Sequence, residues 1–166
     1  MQINYKNYKF KIEEVANKQA LNAYQAIKVY KKEVDGEILL LSLNGAGSFS
    51  LYLQDRFFTL TIDDETKRIS SFDGELTNSQ IKILKLKLPN IIKEAILTLN
   101  TEDKLCPGTG SYIEFNTKNI LYDKEQKILQ IGDIDSENIA YKFFDNAYTQ
   151  INNGTLSGLM FTEIEL

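Results

Sequence analysis

Ile38-Leu39-Leu40-Leu41-Ser42-Leu43 is a short apolar run closed by Asn44-Gly45-Ala46-Gly47, and the residues on its C-terminal side decide the fold class. Phe49, Leu51 and Leu53 alternate with Ser48, Ser50, Tyr52 and Gln54. Phe58, Leu60 and Ile62 come next, then the polar turn Asp63-Asp64-Glu65-Thr66, then Ile69 and Phe72. Side chains on a strand alternate between faces, so a period of two with polar breaks marks half-buried strands. Four such strands separated by tight turns predict an antiparallel meander between Glu37 and Gly74.

Upstream, Tyr8, Phe10 and Ile12 alternate weakly, which suits a strand over 3–12. Ala16, Ala20, Ala23, Ile27, Tyr30 and Val34 then come at spacings of three and four, one face of a helix that Asp35-Gly36 would end. A rival reading starts a strand near Tyr24 and uses Asp35-Gly36 as a hairpin turn. The helix is preferred over at least 13–24.

Downstream, 77–99 supports two readings. Thr77 and Gln80 have capping-box spacing and Leu76 and Ile81 can form a hydrophobic staple, so a helix can start here. Yet Leu84-Lys85-Leu86-Lys87-Leu88 alternates strictly, as a lysine-protected edge strand does. After Pro89, the residues Ile91, Ile92, Ala95, Ile96 and Leu99 fit one helical stripe. Short strands are expected at Tyr112–Phe115, Ile120–Tyr122 and Ile128–Ile131. In 136–151 the residues Ala140, Phe143, Phe144, Ala147, Tyr148 and Ile151 match a helical face, with Gly154 as a left-handed cap. Asn153-Gly154 is equally a two-residue hairpin signal joining 147–151 to a terminal strand over 156–165; the helix is preferred. The expected architecture is α+β. It is a single domain over 1–166, mainly antiparallel meander and hairpins, with an N-terminal helix and one or two further helices packed on the sheet.

Two hairpins echo each other: Ile62 to Ile69 and Leu121 to Ile128, with Asp64 aligned to Asp123 and Arg68 to Lys127. Each runs into an acidic loop, Asp73-Gly74-Glu75 in one case and Gly132-Asp133-Ile134-Asp135 in the other. A duplicated ββα unit would give this pattern, but ordinary polar hairpins give it too, and that account is preferred.

Chemistry is constrained by what is missing. The 166 residues include no histidine, the commonest general base and metal ligand. A Ser-His-Asp triad, a Cys-His pair and an HExxH zinc site are thereby excluded. Cys106 is the single cysteine, so no internal disulfide or CxxC pair exists. Hydrophobic residues make up 43% and charged residues 25%, a globular profile. A net charge of −4 argues against nucleic acid, which calls for a basic face. The N-terminus shows no signal-peptide apolar core, and no apolar run approaches the ~18 residues of a membrane span, so a cytoplasmic protein without membrane contact is expected. Lys, Asn and Ile are abundant while Arg occurs only at Arg56 and Arg68, which suggests an AT-rich bacterial or phage genome.

Asp133-x-Asp135-x-Glu137 opens like a calcium loop but has Asn138 where glycine and Phe144 where glutamate belong. Helix-start chemistry explains the same residues, so no metal or other cofactor is expected. Cys106-Pro107-Gly108-Thr109-Gly110-Ser111 resembles an anion nest without the spacing or lysine of a P-loop, and reads as a connecting turn. In general character the chain resembles small acidic bacterial immunity or inhibitor proteins. That resemblance implies non-enzymatic, stoichiometric occlusion of a toxin or effector, a basic protein partner. The expected contact residues are Tyr52, Asp63, Asp64, Asp73, Glu75, Asp133 and Asp135, whose carboxylates would meet a basic cleft. The alternative is a carboxylate- or metal-dependent hydrolase using a pair such as Asp63/Asp64 or Asp73/Glu75.

Overall fold

The computed structural model describes residues 2–15, 27–43 and 48–166. Among them the chain is nearly all β, and the single helical element is a 3-10 turn at Asn78–Gln80. The α+β expectation is therefore corrected: fourteen strands form two sheets.

Sheet two holds β2 (Val29–Val34), β3 (Glu37–Ser42), β4 (Phe49–Leu53), β5 (Phe58–Ile62), β6 (Ile69–Leu76) and β9 (Gly110–Ile113), in the order β2-β3-β6-β5-β4-β9. β4, β5 and β6 form a meander, but β3 pairs with β6 instead of β4. The expected four-strand meander is thus a Greek-key order. Asp35 and Gly36 have φ of 52° and 80°, the left-handed pair that a tight hairpin between β2 and β3 demands. Ile27, Tyr30 and Val34 consequently sit on or beside a strand rather than on a helix face. The preferred helix over 13–24 fails at Glu13 and Glu14, which end strand β1 (Lys9–Glu14); residues 16–26 lie outside those described.

Sheet one holds the remaining strands: β1, β7 (Ile81–Ile83), β8 (Ile92–Asn100), β10 (Ile120–Asp123), β11 (Ile128–Gly132), β12 (Ala140–Phe144), β13 (Ala147–Asn152) and β14 (Thr155–Phe161). Their order is β1-β8-β12-β13-β14-β11-β10-β7. The expected helical stripe over 91–99 is β8, with Ala95, Leu97 and Leu99 buried on one side at a period of two. The preferred helix over 136–151 is instead β12 and β13, folded back at Asp145-Asn146. Asn153 and Gly154, at φ of 52° and 81°, turn β13 into β14 as a hairpin. The capping signal at Thr77 is spent on a single turn, where Gln80 Oε1 accepts the Thr77 N–H at 2.8 Å. Ile81–Ile83 then joins the edge of sheet one, parallel to β10.

The two sheets face one another across one continuous core. Phe72 of β6 packs on Phe161 of β14 with ring centroids 4.8 Å apart. At one seam the Leu99 N–H donates to the Lys67 carbonyl at 2.8 Å, tying β8 to the β5–β6 turn. At another, the Asn146 side chain in the β12–β13 turn bonds the Val29 backbone of β2. Among the described residues no helix is long and apolar enough to cross a membrane.

Candidate functional site

Burial in sheet two alternates, with Ile38, Leu40, Phe58, Leu60, Phe72 and Leu76 turned inward. The residues between them must point outward, and strand register lines them up. Tyr30 lies opposite Leu41, Leu41 opposite Asp73, Asp73 opposite Thr59, Thr59 opposite Tyr52, and Tyr52 opposite Tyr112. One row thus crosses all six strands on the outer face. Beside it runs a second, shorter row, Lys32, Leu39 and Glu75.

The aromatic end of the row is built closely. Tyr52 and Tyr112 have ring centroids 4.8 Å apart and tilted by 36°. Arg56 lies in the β4–β5 turn, with its guanidinium carbon 5.9 Å from the centre of the Tyr52 ring. Its Nε donates to the Tyr112 hydroxyl at 2.6 Å. Gly110 makes room for this arrangement, since a Cβ there would stand 2.8 Å from Tyr52 Cε2 and 2.6 Å from the Ser50 carbonyl. Phe57, next to Arg56, is 55% exposed and Tyr30 is 46% exposed, so large rings are open to solvent at the β4–β5 turn and at the β2 edge.

Between them is a shallow depression of about 210 Å³, lined by Leu39, Leu41, Thr59, Asp73, Glu75 and Phe57 among others. Asp73 sits among these partly apolar neighbours, and desolvation pushes its carboxyl above the ordinary range. Glu37, at the start of β3, lies diagonally across from Glu75. Hydrogen bonding with the Glu75 carboxylate, then that group's charge, raises the Glu37 carboxyl. The face therefore carries negative charge that the fold itself does not neutralise at Asp73: among the described residues no cation pairs with it. The face thus sets amphipathic rings beside carboxylates on one side of the sheet.

Of the seven expected contact residues, the structure brings Tyr52, Asp73 and Glu75 onto this face. The other four lie elsewhere. Asp63 holds its own turn, Oδ1 accepting the N–H groups of Glu65 and Thr66 at 2.9 and 2.8 Å. Asp64 accepts the Ser48 hydroxyl at 2.6 Å. Asp133 and Asp135 belong to the β11–β12 loop on sheet one. The seven residues thus fall in three separate places. Tyr30, Arg56, Phe57 and Tyr112 complete the face; no motif in the sequence marks them, and strand parity with Tyr52 is the one signal for Tyr112.

For the alternative chemistry, among the described residues no three His, Cys, Asp or Glu side chains group as metal ligands would. No family model matches this chain, and no curated protein matches it.

Proposed function

We propose that this protein is a non-enzymatic binding module that occludes a basic protein partner with the outer face of sheet two. In that reading it acts in the bacterial cytoplasm as an immunity or inhibitor protein acts on a toxin or effector. The supporting observation is the row Tyr30–Leu41–Asp73–Thr59–Tyr52–Tyr112, bordered by Arg56, Phe57 and Glu75. Interface centres are enriched in Tyr, Phe and Arg, and Tyr30, Tyr52, Tyr112, Phe57 and Arg56 supply those residue types here. A lysine or arginine set against Asp73 would supply the missing countercharge, lower the carboxyl's pKa, and speed encounter with a basic surface.

Capture from lysate with tagged protein, at moderate and high salt, tests this. A basic partner should be held stoichiometrically and released by salt. Tyr52→Ala combined with Asp73→Asn should weaken binding by about thirtyfold or more, the ordinary effect of losing a hot-spot residue worth about 2 kcal/mol. Asp63→Asn and Asp133→Asn, outside the face, should leave binding of that partner intact as far as the fold is intact. Capture unaffected by Tyr52→Ala and Asp73→Asn would end the assignment of this face. One observation favours a second reading, a carboxylate-dependent hydrolase: Glu37 and Glu75 are hydrogen-bonded, with Glu37 raised as a general acid must be. Turnover abolished by Glu75→Gln would replace the binding reading with that one.

A further inference from the structure

Sheet one carries a second depression, of about 320 Å³, that the outer face of sheet two does not include. It lies over β10, β11, β13 and β14 beneath the β11–β12 loop. Its lining is rich in amides, notably Asn119, Gln130, Asn138 and Asn152, with Asp133 and Ser157 beside them. Leu121 and Ile134 supply a small apolar floor.

The site is held in shape by groups that leave ligand capacity behind. Gln150, only 2% exposed, clamps the loop: Oε1 accepts the Asp135 N–H at 2.8 Å, and Nε2 donates to the carbonyls of Asp135 at 2.6 Å and Asn138 at 3.1 Å. Gly158 lets the loop lie flat on β14, because a Cβ there would stand 2.5 Å from the Asp133 carbonyl oxygen. The Asp133 carboxylate is oriented by neutral donors, Asn119 Nδ2 at 3.1 Å and Asn116 Nδ2 at 3.3 Å. Asn116 Nδ2 also reaches Oδ1, at 3.4 Å, so the capacity left for a further bond lies on Oδ2.

Gln130 gives the second, independent pointer. It is 7% exposed and lines the depression, and its Nε2 donates to the Gly132 carbonyl at 3.1 Å, which orients the amide. Among the described residues its Oε1 has no donor. Buried acceptors are nearly always satisfied, by protein or by water, so an amide oxygen without a protein donor at the wall of the depression is a place where an external donor can bond. The rest of the lining identifies that donor. An anion would meet Asp133 and Asp135, and an apolar molecule would leave the buried Gln130 Oε1 unpaired. A divalent cation would need a converging group of carboxylates, which the described residues do not form. Hydroxyl groups suit every lining group, since each both donates and accepts.

We propose that this depression binds a small neutral polyhydroxylated ligand, a free monosaccharide or the terminal sugar of a glycan. Hydroxyls donate to Gln130 Oε1 and to Asp133, and accept from the amides of Asn138 and Asn152. The volume matches the lower end of small-molecule sites, room for one sugar ring rather than a long chain. The site is independent of the protein-binding face.

Amide-resolved NMR titration of the whole protein tests it, with glucose, galactose, mannose and N-acetylglucosamine as separate probes and calcium chloride as a further one. One sugar should give saturable shifts confined to the amides around Gly132, Asp133, Asn138 and Ser157. Asp133→Asn and Asn152→Ala should each weaken that sugar at least about tenfold. Gln130→Met, which removes the acceptor while filling the same space, should do likewise. The same spectra show that β5 and β6 are undisturbed, so lost binding and lost folding are told apart; Asn152→Ala, at an exposed residue, carries the test if the buried variant unfolds. Tighter binding of oligosaccharides ending in that sugar assigns a glycan, and equal binding assigns the free sugar. Absence of saturable shifts with all four sugars overturns the proposal. So do variants without effect, and shifts produced by calcium alone.

Discussion

Asn146 shows how much of this fold hangs on single polar side chains. It is buried in the β12–β13 turn, and its Oδ1 accepts the Val29 N–H at 2.8 Å. Its Nδ2 donates to the carbonyls of Val29 at 2.9 Å and Thr162 at 2.8 Å. One amide thereby satisfies the entry to edge strand β2 and the exit from β14. Asn146→Ala strands those backbone groups in a water-poor seam, at a cost of about 3 kcal/mol for three lost bonds. Urea unfolding should show that loss as a lower midpoint with unchanged slope. Asp63 and Asp123 teach a different lesson at the same scale. Each accepts the N–H groups two and three residues ahead, and each has a left-handed lysine four residues on, Lys67 at φ 61° and Lys127 at φ 58°. The two hairpins are indeed alike, but Asp63, not Asp64, is the partner of Asp123. Composition cannot distinguish a carboxylate facing outward from one occupied by its own turn, which is why Asp63 reads as a contact residue in the sequence. The outward placement of Tyr52, Asp73 and Glu75 is legible because a clear alternation puts them on the polar side of well-marked strands.

Among elements, β3 to β6, β9, β10 and β11 are readable from period-two alternation and turn residues, while the hairpins that make β2 and β14 stand in the sequence only as rival readings. The misread elements have patterns that satisfy both periods. In β8, Ile91, Ile92, Ala95, Ile96 and Leu99 make a helical stripe, while Ala95, Leu97 and Leu99 make a strand face; burial selects the second. Neighbouring strands decide this, since β1 and β12 flank β8 on either side. Pairing of that kind is invisible locally. Residues 84–91 fit both a helix and an edge strand in sequence, and the structure makes them a strap. They leave β7 at one edge of sheet one and enter β8 six strand spacings away, about 29 Å if the sheet were flat. The connection from Ile83 to Ile92 reaches about 31 Å when fully extended, enough to cross that span. Asp123 anchors its first half: Oδ2 accepts the Leu86 N–H at 2.9 Å, and Gln126 Nε2 donates to the Leu86 carbonyl at 2.6 Å. Hydrogen bonds from the Gln126 and Leu86 backbones hold the Asp123 carboxyl down at about 2. An aspartate in the unfolded chain titrates near 3.9. The folded value is depressed, so its stabilisation is complete above about pH 4 and is lost as pH falls towards 2. The protection of the Leu86 amide, measured against its intrinsic exchange rate at each pH, should fall over that window, and Asp123→Asn should leave it low throughout. Protection of Leu86 that does not vary between pH 4 and 2 would detach the strap from Asp123.

For the molecule as a whole, the question is whether the sheets are one cooperative unit or two. The chain shuttles between them. β1 belongs to sheet one, β2 to β6 build sheet two, β7 and β8 return to sheet one, β9 visits sheet two, and β10 to β14 finish sheet one. Neither sheet is a contiguous segment, so neither can close its hydrogen-bond ladder without threading past the other. Nor does either have a separate core: Phe72, Leu60 and Leu51 from one sheet share a single buried cluster with Phe161, Leu159 and Ile131 from the other. Apolar area buried between sheets is lost to both at once when they part. Phe72 is fully buried and stacks on Phe161, so Phe72→Ala removes contacts on both sides of the interface and leaves a cavity. Truncations of this kind cost about 3–5 kcal/mol. If the core is common, that loss appears in one transition, with amide protection in β5 and β6 falling by the same factor as in β13 and β14. If the sheets were independent units, protection in β13 and β14 would hold while β5 and β6 opened. Exchange measured strand by strand in the Phe72→Ala protein therefore decides whether the aromatic face on sheet two and the amide-lined depression on sheet one are supported by the same folding event.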